Sequence, residues 1–351
     1  DVLGLRTLSV LEDTAKLAGF DFHDYYKINL EEKSIFDIYK NQRLSGIFQF
    51  EGATMARLNQ EVPMQCFDDV VASQALARPG ALSSGGTSKY IDIKNGKLEA
   101  FYYSDTHKKI TKATFGIIVY QEQMMSVARE MANFSWEDVG RLRKAASKSM
   151  GDEYFATFKP KFIDGCQSFG GLTKEYAESL WKDVASSGSY SFNLSHAVSY
   201  GVISNWCAWS KRNHGLHFIA SILNNPKTEK DSLKVLREFY DKEGLQYEAV
   251  NADNSDVKWS VQDGSLVGGL LNINGFGVRK AQEAIKMRKG EIPFTPSVMN
   301  TMFDPKTKYD ILFPADFHFY DIYNNPYDYT GEPLPISYIK DIQKKATYFA
   351  I

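Results

Sequence analysis

The amino-acid sequence predicts a mainly α-helical protein, in which a large multi-helix part precedes a small α+β domain built around a helix-hairpin-helix. Apolar residues recur at helical spacing from about Tyr120 to Leu223, as expected of packed helices. Ser135 and Asp138 precede one such pattern with the spacing of a capping box at a helix start. Two glycines separated by one residue, Gly275 and Gly277, lie between apolar segments and predict the hairpin turn.

Length and charge bound the number of domains and the kind of partner. The 351 residues are too many for one ordinary core and fit two or three domains. Because 43% of the residues are hydrophobic, the chain can bury a sizeable core. A formal net charge of -2 argues mildly against a protein that coats nucleic acid, although local basic stripes can still bind it.

The cysteines and apolar stretches bear on cellular location. Cys66, Cys166 and Cys207 form no CxxC pair, so we expect small buried side chains in a reducing cytoplasm rather than a zinc site or disulfides. No run approaches the ~20 apolar residues of a membrane span, and no signal peptide is visible. The chain opens on Asp1 rather than methionine, from which we expect a fragment, a processed product or a piece of a split polypeptide.

We divide the chain into four segments, which are 1–14, 15–225, 226–295 and 296–351. The stretch from Leu82 to Lys112 is rich in glycine, serine and lysine, which predicts a mobile, positively charged loop with little core. The last segment is rich in aromatic residues and has weak periodicity. Its Tyr309–Phe313 stretch faintly suggests a clamp-binding peptide, but the expected glutamine is missing.

A basic helix supplies cations of the kind that phosphoryl transfer needs. Arg141, Lys144 and Lys148 share one face at spacings of three and four residues, and Arg143 lies about 100° from Lys144 around the helix axis. Cations on a rigid element can neutralise the charge of a nucleoside triphosphate. A solvated basic face is the alternative interpretation.

A second cluster combines several hydrogen-bonding groups at a predicted helix start. Asn193, Ser195 and His196 are followed one turn later by Tyr200. A helix N-terminus favours anions, and an aromatic ring can stack on a base. The alternative is an Asn/Ser helix cap next to a histidine in the core.

The third motif is the glycine pair near residue 275. Gly275 and Gly277 let backbone N–H groups approach a phosphate, and Lys280 follows on the next helix. A helix-hairpin-helix grips the DNA backbone without reading sequence. A tight turn between two helices is the alternative.

Together and in this order, these elements resemble the bacterial replicative DNA polymerase III alpha subunit, a C-family DNA polymerase, over roughly residues 1–290. The Val-Tyr-Gln-Glu-Gln and Phe-Asn-Leu-Ser-His forms favour the main bacterial type over the Gram-positive variant that carries an exonuclease. The stretches that carry the resemblance are Asp1–Leu8, Ile47–Glu51, Cys66–Gly80, Phe115–Met124, the segment around Arg143, and Phe192–His196.

The resemblance implies a DNA-directed DNA polymerase that uses two Mg²⁺ ions. Residues 1–14 would be the end of the palm, with Asp1 as its third catalytic carboxylate and a metal ligand. Residues 15–225 would form the fingers domain, and 226–295 a clamp-binding-like helix-hairpin-helix domain whose Gly275, Gly277 and Lys280 bind DNA.

The resemblance also implies a nucleotide site on the fingers. Arg143 and Lys144 would neutralise the triphosphate, while Arg78 and Gln121 would support the pocket or the template. Lys144 stands where the family has arginine and cannot make a forked contact. Such departures, with the aromatic tail, raise the hypothesis of a phage-encoded enzyme. The full set of implied nucleotide-binding residues is Arg78, Gln121, Arg143, Lys144, Lys148, Asn193, Ser195, His196 and Tyr200.

The implied partners are primer-template DNA, a dNTP, an upstream palm-containing polypeptide and a sliding clamp, in the cytoplasm of a bacterium or a phage-infected host and without a membrane. The first two palm aspartates are absent from the sequence, so we expect the chain alone to be inactive as a polymerase. One alternative is a non-catalytic DNA-binding accessory subunit that retains the fingers fold. An unrelated helix-hairpin-helix nuclease or helicase factor is another, but it leaves the Tyr120 and His196 motifs unexplained.

Overall fold

The computed structural model describes residues 4–146, 152–188, 190–226, 229–248, 250, 254–272 and 276–292. These residues contain sixteen α-helices and three short strands, so the prediction of a mainly α-helical fold is confirmed. The first eight helices are α1 (Arg6–Ala18), α2 (Lys33–Lys40), α3 (Ala53–Glu61), α4 (Phe67–Leu76), α5 (Pro79–Ser83), α6 (Gly86–Lys94), α7 (Asp105–Thr111) and α8 (Gln121–Glu130). The other eight are α9 (Trp136–Ala146), α10 (Asp152–Ala156), α11 (Lys159–Ser168), α12 (Lys174–Gly188), α13 (Leu194–Asn213), α14 (Gly215–Asn224), α15 (Glu229–Glu243) and α16 (Val278–Arg288).

The three strands form one small sheet in the order β1-β3-β2, where β1 is Tyr247–Glu248, β2 is Ser260–Gln262 and β3 is Ser265–Val267. Strand β1 pairs with β3 in parallel, and β2 pairs with β3 as an antiparallel hairpin. The hairpin turn is Asp263-Gly264, and both residues have positive φ, at 48° and 79°. An Asp-Gly pair suits this turn because its backbone twist matches that of the flanking strands.

The described residues gather into two compact units. The central unit is residues 29–208, and the terminal unit combines the described residues of 1–28 and 209–351. The boundaries predicted at 14/15 and 225/226 separate palm, fingers and hairpin domains by their roles. A division into compact units does not test such roles, so these boundaries stay a prediction. The predicted tail, 296–351, and its Tyr309–Phe313 stretch lie outside the described residues.

The central unit has a helical core to which α8, α9, α11 and α12 contribute. Phe162 is fully buried and lies 5.2 Å, centroid to centroid, from the ring of Trp181. The ring of Phe134 contacts Phe162 from another side at 6.1 Å. Aromatic edge and face contacts of this kind stabilise a core beyond the area they bury.

In the terminal unit, α1 packs along α14. The guanidinium group of Arg6 donates a hydrogen bond to the carbonyl oxygen of Asn225, whose side-chain amide donates to Asp13 at 2.8 Å. The first of these bonds satisfies a backbone carbonyl at the end of α14, where the last carbonyl groups have no partner within the helix.

The predicted loop from Leu82 to Lys112 is wrong, because α6, α7 and part of α5 occupy it. Tyr90 of α6 is buried and donates a hydrogen bond to Asp69 of α4 at 3.1 Å. Lys94 contacts the same carboxylate at 2.7 Å. The tertiary contact with Asp69 thus stabilises a helix whose local sequence, rich in glycine and serine, has low helix propensity.

Two of the three cysteines behave as apolar side chains. Cys166 and Cys207 are buried, and burial raises the pKa of each thiol to about 12. Cys66 is half-buried. Within the described ranges, no helix is long and apolar enough to cross a membrane.

Candidate functional site

A cavity of about 360 Å³ lies within the central unit and brings together three of the predicted nucleotide-binding residues, Arg78, His196 and Tyr200. Arg78 precedes α5, whereas His196 and Tyr200 lie one turn apart on α13. None of the described lining residues carries a negative charge, while Arg78 carries a positive one. The other lining residues are Gln49, Gly52, Ala53, Thr54, Met55, Gln74, Ala77 and Phe192.

Three aromatic rings in mutual contact, with a cation over one of them, form one wall of this cavity. The guanidinium carbon of Arg78 lies 4.2 Å from the centroid of the Phe192 ring, which holds the planar cation in a fixed orientation. The imidazole of His196 lies 3.9 Å from the ring of Tyr200 and 5.2 Å from that of Phe192. The alternative of a core histidine is not what the structure shows, since His196 is half-buried and lines the cavity.

The Tyr120 motif and the His196 motif are joined through their backbones. The N–H of Gln121 donates to the carbonyl of Phe192 at 2.9 Å, and the N–H of Phe192 donates to the carbonyl of Val119 at 3.0 Å. Gln123 is buried, and its side-chain oxygen accepts hydrogen bonds from the N–H groups of Val119 and Tyr120. The predicted site residue Gln121 therefore holds Phe192 in place through its backbone, and its side chain does not line the cavity.

Glu122 fixes the start of α13. One of its carboxylate oxygens accepts from the side-chain amide of Asn193 at 2.9 Å, and the other accepts from the N–H of Leu194 at 2.8 Å. The side-chain oxygen of Asn193 in turn accepts from the N–H of His196 at 2.9 Å and from the hydroxyl of Ser195 at 2.7 Å. A negative charge at a helix N-terminus is also favourable to the helix dipole.

This arrangement shows the local contacts of Asn193 and Ser195, whose nucleotide-binding role stays a prediction. The side chain of Asn193 caps α13, the hydroxyl of Ser195 donates to the side-chain oxygen of Asn193, and neither side chain lines the cavity. Their effect on the cavity is to orient the first turn of α13, and with it the imidazole of His196.

The basic helix lies elsewhere in the central unit. Arg143 and Lys144 are exposed on α9, next to the buried Leu142, and neither lines the cavity. Ser135 caps this helix as predicted, since its hydroxyl oxygen accepts from the N–H of Asp138 at 3.1 Å. The guanidinium group of Arg141 forms an ion pair with Glu137 on the same helix.

Three predicted site residues lie outside the described residues, namely Asp1, Lys148 and Gly275. Gly277 precedes α16 as its N-cap, and Lys280 lies half-buried in the first turn of that helix. Across the residues that the structure describes, no group of three His, Cys, Asp or Glu side chains could hold a metal ion.

Sequence reasoning missed the polar lining contributed by the segment before α3, by α3 itself and by α4. Gln49, Thr54 and Gln74 all line the cavity. Gln49 lies in the Ile47–Glu51 stretch that the resemblance includes, but a single glutamine gives no sign of where its side chain lies. Only the packing of these elements places it beside His196.

Comparison with known proteins defines the class of protein to which the first half of the chain is similar. Residues 7–170 match the sequence model of the bacterial DNA polymerase III alpha subunit finger domain. This stretch includes the first part of the cavity wall, with Gln49, Gln74 and Arg78.

Longer matches cover most of the chain. It is 34% identical over 296 residues to the DNA polymerase III subunit alpha of Aquifex aeolicus, covering 82% of this chain and 25% of that protein. The corresponding subunit of Pseudomonas aeruginosa is 30% identical over 317 residues, which are 87% of this chain and 26% of that protein. That of Bacillus subtilis is 30% identical over 303 residues, 84% and 26% of the two chains.

The chain belongs to the bacterial DNA polymerase III alpha-subunit family. It spans about a quarter of the length of the curated relatives that it matches.

Proposed function

We propose that this chain is part of a replicative DNA-directed DNA polymerase, and that the cavity of the central unit holds part of an incoming dNTP beside primer-template DNA. The observation that carries the proposal is the meeting of Arg78, His196 and Tyr200 around one space. The sequence separates the first of them from the other two by more than a hundred residues. Family membership supports the same assignment.

The chemistry of the lining suits a nucleotide. The guanidinium group of Arg78 lies over the ring of Phe192, and this contact restricts its orientation. Its N–H groups can therefore donate to phosphate oxygens with little further loss of side-chain entropy. The rings of His196 and Tyr200, which contact each other at an angle of 39°, offer an aromatic surface to a base or a sugar. Since no carboxylate is among the described lining residues, none of these side chains repels a triphosphate.

Arg143 and Lys144 are proposed as a second group of cations for the triphosphate, as the family resemblance implies. They are exposed on a rigid helix, which leaves them accessible to a ligand. Since they do not line the cavity, their contribution must be tested separately from that of Arg78.

We also propose metal, DNA and clamp contacts for the whole polymerase. Mg²⁺ would be held by Asp1 together with carboxylates of a palm-containing polypeptide, and would supply charge neutralisation at the reacting phosphate. Gly275, Gly277 and Lys280 would bind the DNA backbone, and a sliding clamp is a further proposed partner. Asn193 and Ser195 act by positioning α13.

The nucleotide site is tested by titrating the purified 351-residue chain with dATP. Replacing Arg78 with alanine is expected to weaken binding by about tenfold to a hundredfold, because a charge-assisted contact with phosphate is worth about 1.5–3 kcal/mol. Arg143→Ala is also expected to weaken binding. Isothermal titration calorimetry measures both.

Arg57→Ala is the matched control. Arg57 is an exposed arginine of the same unit, paired with Glu61 on α3, and it does not line the cavity. Unchanged affinity in Arg78→Ala would remove the cavity from the nucleotide site, and unchanged affinity in Arg143→Ala would remove the basic helix from it.

Primer extension tests the enzymatic part. We expect no extension of a primer-template by the 351-residue chain with dNTPs and Mg²⁺, and extension once a palm-containing chain of the same enzyme is added. Robust extension by the chain alone would contradict the need for a palm. A failure of every palm-containing chain to restore extension would favour the alternative, a DNA-binding accessory subunit.

A further inference from the structure

Gln49 occupies an unusual place in the cavity wall. It lies in the short segment between α2 and α3, its side chain is exposed, and it lines the same cavity as Arg78 and His196. Its side-chain amide has no hydrogen-bond partner in the part of the chain that the structure describes. The amide therefore has both its donor and its acceptor groups available within the cavity.

The backbone of Gln49 is strained. Its φ angle is +65°, a left-handed conformation that residues other than glycine and asparagine rarely adopt. Two glycines, Gly46 and Gly52, lie within three residues of this position. Strain of this kind persists where the surrounding structure enforces it, and it concentrates at ligand-binding sites.

The neighbours of Gln49 enforce this conformation. The N–H of Gly46 donates to the carboxylate of Glu51 at 3.0 Å, and the hydroxyl of Ser204 donates to the carbonyl of Phe48 at 2.9 Å. The side chain of Phe50 is fully buried. With Phe48 and Phe50 anchored on either side, the turn has to present Gln49 to the cavity.

We infer that Gln49 is a ligand-contacting residue that recognises an uncharged polar group of the nucleotide, on its sugar or its base. This inference rests on the proposed function and assigns chemistry within the same site. A neutral amide both donates and accepts, which matches a sugar hydroxyl or the edge of a base better than a phosphate, whose oxygens only accept. Arg78 supplies the charged contact, so the two residues divide the ligand between them.

The inference is tested with the Gln49→Gly variant and two probes, dATP and inorganic tripolyphosphate. Loss of one hydrogen-bonding group is expected to weaken dATP binding about fivefold to tenfold and to leave tripolyphosphate binding unchanged. Arg78→Ala is expected to weaken both. Titration with 2′,3′-dideoxyATP, which lacks the 3′-hydroxyl, distinguishes a sugar contact from a base contact. If this nucleotide binds the wild type and Gln49→Gly equally well, the 3′-hydroxyl is the partner of Gln49. If it binds Gln49→Gly more weakly than the wild type, the partner is the edge of the base.

The melting temperature of the Gln49→Gly variant tests whether the backbone of Gln49 is strained. Gln49→Gly is expected to have a melting temperature no lower than that of the wild type, because glycine adopts positive φ without steric cost. Asn133→Gly is the matched control, since Asn133 is also exposed in the central unit with a φ of +52° but does not line the cavity. The control is expected to bind dATP as the wild type does.

The possible results test the role of Gln49, the nucleotide site and the backbone strain separately. Wild-type affinity for dATP in Gln49→Gly, or an equal loss for dATP and tripolyphosphate, would overturn the role of Gln49 while the site itself stands. A wild-type chain that binds neither probe would overturn the proposed nucleotide site, and the role of Gln49 with it. A lowered melting temperature in Gln49→Gly would overturn the strained backbone as a functional feature.

Discussion

Replacing Lys211 with methionine is expected to destabilise the terminal unit by about 3–5 kcal/mol, because it leaves two partly buried carboxylates without their cation. Lys211 has no exposed side-chain surface and lies 3.3 Å from both Glu238 and Glu243. Its ammonium group also lies 4.1 Å from the centroid of the Phe239 ring. Denaturation by urea, followed by circular dichroism, measures the change in the free energy of unfolding.

The same site shows why a buried ion pair is costly. Burial lowers the pKa of Lys211, although the carboxylates of Glu243 and Glu238 both act to raise it. Desolvation of the ammonium group thus outweighs its attraction to the two glutamates. We therefore expect the triple variant, with Lys211→Met, Glu238→Gln and Glu243→Gln, to recover most of the stability that the single variant loses.

Lys27→Met provides the control for loss of a lysine. Lys27 pairs with Asp24 at 2.7 Å in the same unit, but both side chains are exposed. Its removal is expected to leave the urea midpoint unchanged, because exposed ion pairs contribute little. A Lys211→Met variant as stable as this control would show that the buried network does not stabilise the fold.

Acid is expected to destabilise the central unit through His107. The side chain is fully buried, and burial, followed by the nearby charge of Lys89, lowers the pKa of His107 from 6.5 to about 4. Its Nε2 atom has no hydrogen-bond partner among the described residues. The ring lies between the side chains of Tyr103 and Tyr102, at 5.1 Å and 6.3 Å.

The direction of this pH effect follows from the difference in the pKa of His107 between the folded and the unfolded chain. Above pH 6.5 His107 is neutral in both the folded and the unfolded chain, so its full contribution is present. Between pH 6.5 and about 4 only the unfolded chain takes up the proton, and stability falls by about 3 kcal/mol in all. Below that range both states are protonated, and this contribution becomes constant.

The variant His107→Leu isolates this effect from the general acid sensitivity of the chain. Leucine cannot take up a proton, so the variant is expected to lose less stability than the wild type between pH 6.5 and 4. His23→Leu is the control, since His23 is exposed. Parallel pH profiles of wild type and His107→Leu, measured by urea denaturation, would contradict the prediction.

The sequence predicted more about the cavity than about the buried side chains of Lys211 and His107. Arg78, His196 and Tyr200 belong to the stretches that carry the family resemblance, and it was this resemblance that predicted a nucleotide site for them. The hydrogen bond from Asn193 to Glu122 could not be predicted from the sequence, because it joins α8 to α13 across about seventy residues. The left-handed backbone of Gln49 likewise depends on anchors such as Ser204, which lies far away in sequence.

Local sequence alone determined the helical class of the protein, the capping of α9 at Ser135 and the motifs of its family, because these depend on side chains within a few turns of one another. Only the tertiary structure decided that the stretch from Leu82 to Lys112 folds into helices, since Tyr90 and Lys94 gain their partner from α4. It also decided which polar side chains share the cavity. Such choices follow from desolvation and packing between elements distant in sequence, and the pattern within one element does not contain them.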